Sequence, residues 1–157
     1  MIEHGIGHRG QNHYGRLAIE LTLDFIVMFL VMYTMIAALA HFHFNLNNVY
    51  MTMMMVAPMT LVMLVSMRAM FPSPQLNMII GGGAVAVFIA GFIAMRTQAG
   101  IGNAEFLRAM IPHHSGAILM CEKASITDPE IVALCQGITK SQRAEIAQME
   151  AILARQR

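Results

Sequence analysis

"YMTMMMVAPMTLVMLVSMRAMF", residues 50–71, holds eight methionines and only two leucines, Leu61 and Leu64, in one apolar run. A helix of about 20 apolar residues crosses a hydrocarbon core, and this run is long enough. Two more such segments flank it, at approximately 17–40 and 77–95, against 49–71 for the run itself. Between Asp24 and Arg96 the only charged residue is Arg68, whereas most Lys, Arg, Asp and Glu follow Arg96. A chain that is 57% hydrophobic and 12% charged therefore divides into a polar His-bearing tail (1–16), a three-helix transmembrane region (17–97) and a water-facing helical domain (98–157). The fold class is all-α. The tail, rich in Gly, His and Arg, suggests no fixed structure, and the first span reads as a retained signal anchor. With a formal charge of +1 and no basic block, a nucleic-acid partner has no electrostatic support; the lipid bilayer is the expected partner.

Lys and Arg near the membrane ends set orientation. Arg9 and Arg16 precede the first span and Arg68 ends the second, while the loop "HFHFNLNN" has neither Lys nor Arg. The tail and second loop then lie inside, and the C-terminal domain outside. In a bacterium this is the inner membrane with a periplasmic domain. Arg96 and Arg108 run against that assignment.

Leucine and methionine bury similar apolar surface, but only methionine carries a soft sulfur able to ligate a soft metal. Residues four apart form a slowly drifting ridge on a helix. Met51, Met55, Met59, Met63 and Met67 make one, extended by Met70 and broadened by Met53 and Met54. Glu20, Asp24, Met28 and Met32 make another on the first span, continued by Met35. Two readings stand for these ridges, an intramembrane metal path and a methionine-rich packing face. Asp24 is an intramembrane acid, costing about 2.5–3.5 kcal/mol unless paired or hydrated, with Arg68 as its candidate partner. On the third span Gly82, Ala86, Ala90 and Ala94, supported by Gly81, Gly83 and Gly91, form a small-residue packing ridge. Pro58 is expected to kink the second helix.

Beyond the hinge "TQAGIGNAEF", with Asn103 as an N-cap, two helices are predicted at about 104–125 and 129–155. Asp128 caps the second and Pro129 starts it. Ile131, Leu134, Ile138, Ile146, Met149 and Ile152 keep its helical period. Two such helices bury too little surface alone, so a second copy is expected to complete a four-helix bundle.

The chemistry concentrates in "FLRAMIPHHSGAILMCEKA", residues 106–124. Met110, His114 and Cys121 share one helix face, with His113 and Met120 beside it. Imidazole, thioether and thiol together suit copper, Cu(I) in particular, with zinc second. Met149 could face the cluster, and Glu145 is a further ligand or an outer hydrogen-bond acceptor. Cys121 and Cys135 lie at similar heights on an antiparallel hairpin. They read as a disulfide in an oxidising compartment, or as thiolate ligands in a reducing one.

The segment Phe106–Met149, with "FLRAMIPHHSGAILM" and "SQRAEIAQME", resembles the bacterial family catalogued as domain of unknown function 305. That resemblance implies a ferritin-like helical bundle, an association with periplasmic copper in some members, and Met110, His113, His114 and Met149 as site residues. The paired Glu-x-x-His ligands of di-iron bundles are absent. Three functions follow as expectations. The first is a membrane-anchored copper-binding protein for homeostasis or tolerance, working with copper-handling or membrane-complex partners. The second is a Cu(I) transporter with a methionine-lined path, which resembles the three-span architecture of eukaryotic copper transporters. The third is a non-catalytic oligomeric scaffold or accessory subunit. No nucleophile with a base and no phosphate-cradling glycine loop points to an enzyme.

Overall fold

A computed structural model describes residues 6–156, with side chains from residue 13 onward. Its regular structure is helical: α1 (Ile6–Val31), α2 (Leu46–Ser66), α3 (Pro74–Thr97), α4 (Asn103–Lys123) and α5 (Pro129–Arg155). Two 3₁₀ turns, Met32–Met35 and Leu39–His41, separate α1 from α2. Three segments, His13–Met35, Leu46–Ser66 and Pro74–Thr97, are long and apolar enough to cross a membrane. The chain forms two compact units. One holds the residues up to Leu30 with Val49–Ala99, the other Val31–Asn48 with Gly100 onward.

The boundaries differ from the sequence expectation in instructive ways. Residues 6–16 of the polar tail belong to α1 rather than to a chain without fixed structure; residues 1–5 lie outside the described residues. The first span's helix stops at Val31, well short of residue 40, because the chain beyond it makes its hydrogen bonds elsewhere. The second helix begins at Leu46 and ends at Ser66, so Met67, Arg68 and Met70 lie in the following turns. Helix α4 is capped by Gly102, with Asn103 its first residue. Asp128 does cap α5, its carboxylate accepting from the N–H groups of Glu130 and Ile131 at 2.8 and 3.2 Å.

In the first unit the spans meet where α2 turns into α3. Leu17, Leu64 and Phe71 are buried together, with Tyr14, Leu21, Met63 and Ile80 packed around them. The Tyr14 hydroxyl donates to Asn77 Oδ1 at 2.8 Å and accepts from the Ser73 N–H at 3.1 Å. Asn77 in turn donates to the Phe71 carbonyl at 2.9 Å. This small polar network satisfies groups that an apolar surround would otherwise leave costly. Ser73 caps α3 through a bond from the Leu76 N–H, with Pro74 as its first residue.

The faces of α2 and α3 sort differently from the four-spaced ridges. On α2 the buried residues are Thr52, Ala57, Thr60 and Leu64. Thr60 returns its hydroxyl to the Val56 carbonyl, so burial leaves it paired. Met51, Met55 and Met67 stay exposed at 41%, 42% and 38%, while Met59 and Met63 are half-buried. It is Met53 that lines an apolar cleft of about 230 Å³ with Leu21, Phe25, Ile80 and Ala84. On α3 the close approach to α2 runs through Gly81 and Gly91. A Cβ at Gly91 would stand 3.2 Å from Met54 Cγ and 3.4 Å from the Tyr50 carbonyl oxygen. Gly82, Ala86 and Ala90 of the expected ridge face outward. Asp24 is half-buried, and among the described residues no ion pair joins it to Arg68.

In the second unit α4 and α5 are antiparallel around Leu107, Ile111, Ile118, Ile146, Met149 and Leu153. The cover over this core comes from the same chain. The connection between α1 and α2 lies on α4, where Ala37 packs against the core. Ser115, fully buried, accepts the Ala37 N–H at 2.7 Å and meets His41 Nδ1 at 2.7 Å. Gly116 lets the backbone come close: a Cβ there would stand 3.4 Å from the Met35 carbonyl oxygen. Tyr33 donates to the His43 carbonyl at 2.7 Å and accepts from Asn45 Nδ2 at 3.1 Å. Asn45 Oδ1 accepts from the Asn48 N–H and so starts α2. If all three spans cross, the α1–α2 connection and the chain after α3 emerge on one side, which is what building one unit from both requires.

Replacing Ser115 with alanine removes the shared partner of Ala37 and His41. The expected loss is about 1–3 kcal/mol, since a buried N–H is left unpaired. Thermal unfolding of the full chain in detergent, with faster amide exchange at Ala37, checks it; unchanged exchange would show that the connection is held elsewhere.

Candidate metal site

The helical repeat of α4 turns His114 toward α5 and leaves His113 exposed. His114 Nδ1 lies 2.9 Å from the Met110 carbonyl oxygen, one turn back, and Nε2 lies 2.8 Å from Glu145 Oε2. Glu145 is held from its other side by the Ser141 hydroxyl, which donates to Oε1 at 2.6 Å. The carboxyl of Glu145 titrates below the usual glutamate range, chiefly because of the Ser141 hydroxyl and then because of His114. It is therefore ionised at neutral pH. Both partners of the ring are acceptors, the Met110 carbonyl at Nδ1 and the Glu145 carboxylate at Nε2.

A ring whose Nδ1–H is fixed to a backbone carbonyl is oriented as metal-ligating histidines commonly are. The remaining donors are spread along the hairpin. His113 stands edge-on to His114, with ring centres 6.0 Å apart. Met110 is half-buried against the helical core, and Met149 is part of that core at 9% exposure. Met120 is 54% exposed. Cys121 is joined to Cys135 by a disulfide that ties α4 to α5, so in this state it offers no thiolate. Among the described residues, no three His, Cys, Asp or Glu side chains converge as a metal-holding group. The donor chemistry suits a soft or borderline ion, and the chain brings His114 and Glu145 together with Met110 and His113 alongside.

Sequence reasoning missed Ser115 and His41, which lie beside the expected cluster. Ser115 accepts the Ala37 N–H and stands 2.7 Å from His41 Nδ1, so one hydroxyl serves both. The available signal was the Ser115-Gly116 pair after the two histidines, small residues that permit a backbone to approach a helix.

The family described as a domain of unknown function (DUF305) matches residues 94–153. "Uncharacterized protein L153" of Acanthamoeba polyphaga mimivirus is 35% identical over 111 residues, covering 69% of this chain and 71% of the relative. That length exceeds the hairpin domain, so the likeness reaches into the apolar region. No solved structure matches.

Replacing Glu145 with glutamine removes the depressed carboxyl. Such a group stabilises the fold above its unfolded pKa, and that contribution is lost as pH falls through the lowered folded value. Wild type should therefore melt above E145Q at neutral pH, with the gap closing under acid conditions below the ordinary glutamate range. A pH series of detergent melts reads this; a gap that persisted into strong acid would contradict it.

Proposed function

We propose, for a chain that belongs to the family described as domain of unknown function 305, that it is a membrane-anchored protein binding copper as exchangeable cargo for homeostasis or tolerance. The observation that carries this reading is the orientation of His114 through Nδ1 to the Met110 carbonyl, with a carboxylate at Nε2 and His113 beside it. In the bound state Nε2 exchanges Glu145 for the ion, and His113 and the Met110 thioether swing in to complete a site suited to Cu(I). The hairpins of two copies pair into a four-helix, ferritin-like bundle. Supporting this are Ile131 and Leu134 on α5, 47% and 61% exposed although they keep the helix's apolar period. A periplasmic position of this domain in a bacterial inner membrane is supported by the disulfide, which belongs to oxidising compartments.

One observation favours transport as a second reading. Met51 and Met55 on α2 and Met67 in the turn after it are exposed, so a methionine path through them would lie between copies. The outward Gly82, Ala86 and Ala90 offer those copies a close contact.

Titration of the full chain in detergent with Cu(I) against a competing chelator tests the first reading. The triple variant M110A/H113A/H114A should bind at least about tenfold more weakly, a difference of about 1.4 kcal/mol. Equal affinities would leave a scaffold as the better account. For the second, Cu(I) uptake into proteoliposomes should fall when Met51, Met55 and Met67 become leucine; uptake unchanged by these replacements removes the methionine path.

A further inference from the structure

The helical core reaches only as far toward the α4–α5 loop as Ile118 and Ile146. Beyond it the helices are tied by the Cys121–Cys135 disulfide and by Arg143 donating to Glu122 at 2.6 Å. Both cysteines line a groove of about 620 Å³, together with Ile126, Val132, Lys140 and Arg143. Neither cysteine is fully buried, so a small reductant or a metal donor can reach the sulfurs from the groove.

We propose that Cys121 and Cys135 form a second, redox-gated site for a soft d¹⁰ cation such as Cu(I), closed as the disulfide and opened by reduction. A dithiol reductant attacks one sulfur, the Cys121–Cys135 bond breaks, and the reductant leaves as its own disulfide. Two electrons and two protons are thereby transferred, giving two thiols on facing helices. Their Cα atoms are 5.3 Å apart in the linked state, and a modest separation of the helix ends admits an ion between the sulfurs. Two thiolates and a monovalent ion make a complex of net negative charge, and the soft donors select Cu(I) over hard ions. Lys140 and Arg143 stand at the same groove to offset that charge. The exposed stretch Ile131–Leu134 gives the start of α5 little packing to resist the movement. This site does not rest on the reading of His113, His114 and Met110, and either can fail alone.

The test uses the full chain in detergent carrying M110A/H113A/H114A, so that only the cysteine pair is read. It is titrated anaerobically with Cu(I) under a chelator, in the disulfide form and after reduction with the reductant removed, beside the same chain with C121S/C135S. The reduced form should take up one additional ion per chain, with thiolate-to-metal absorption in the near ultraviolet, at least about tenfold more tightly than the other two. Equal uptake by reduced and serine forms overturns the proposal. Circular dichroism accompanies each sample. Loss of helix on reduction while the serine variant stays folded, or in both together, would make the pair a structural staple and overturn it equally.

Discussion

The hydroxyl of Ser115 is the point on which the second unit depends. A two-helix hairpin exposes one side of its core, and a chain segment can cover that side only if its own backbone polar groups are paired. Ser115 supplies that pairing, accepting the Ala37 N–H and sharing a hydrogen bond with His41 Nδ1. Gly116 beside it allows the approach. Tyr33 and Asn45 then close the segment on itself, so that it ends as the cap of α2. The family match covers the two helices but not residues 32–48. In this chain, the matched domain is therefore completed by a piece lent from between the first two spans.

A second constraint acts in the spans, which are apolar on all sides. In water such a helix would bury whatever face it could; in lipid that preference would go, and close packing and polar pairing would decide instead. Gly81 and Gly91 give room on α3 for the α2 side chains Leu61, Leu64 and Met54 and, at Gly91, for the Tyr50 carbonyl, and the Tyr14–Asn77 network fixes the turn end. Met51, Met55 and Met67 are left exposed, while Met59 and Met63 are half-buried. The ridge is thus divided between the surroundings of the chain and its interior, which bears on any function that needs a path.

Legibility in the sequence followed the range of the interactions. The hairpin was readable because its signals are local: Asp128 and Pro129 start α5, and "SITDP" breaks the helix before it. The spans were readable from hydropathy, although their ends moved by several residues. Which face of each span turns inward was not readable, since a helix apolar all round carries no amphipathic signal. In the sequence, residues 32–40 read as the end of the first span and 41–48 as a plain loop, because the partner of Ala37 and His41 lies some 74 to 78 residues away in Ser115. At the candidate site the histidines were found by spacing. The partner of His114 was found only as a possibility, because helical spacing gives a direction along α4 but not which residue of α5 arrives there.

That partner shapes what the site can do. In the metal-free chain Glu145 Oε2 stands 2.8 Å from His114 Nε2 and occupies it. The same contact must be given up before Nε2 can ligate, so part of any binding free energy is spent on displacing it. A site built this way holds its ion less tightly than one with a bare, preorganised ring, and it has a stable state to return to on release. For cargo that must be handed on, a ligand with a waiting replacement partner is an advantage, and tight retention would be the defect. The proposed cysteine site obeys the opposite logic: its donors are covalently withheld in the disulfide, so its occupancy would answer to redox state before it answered to metal concentration.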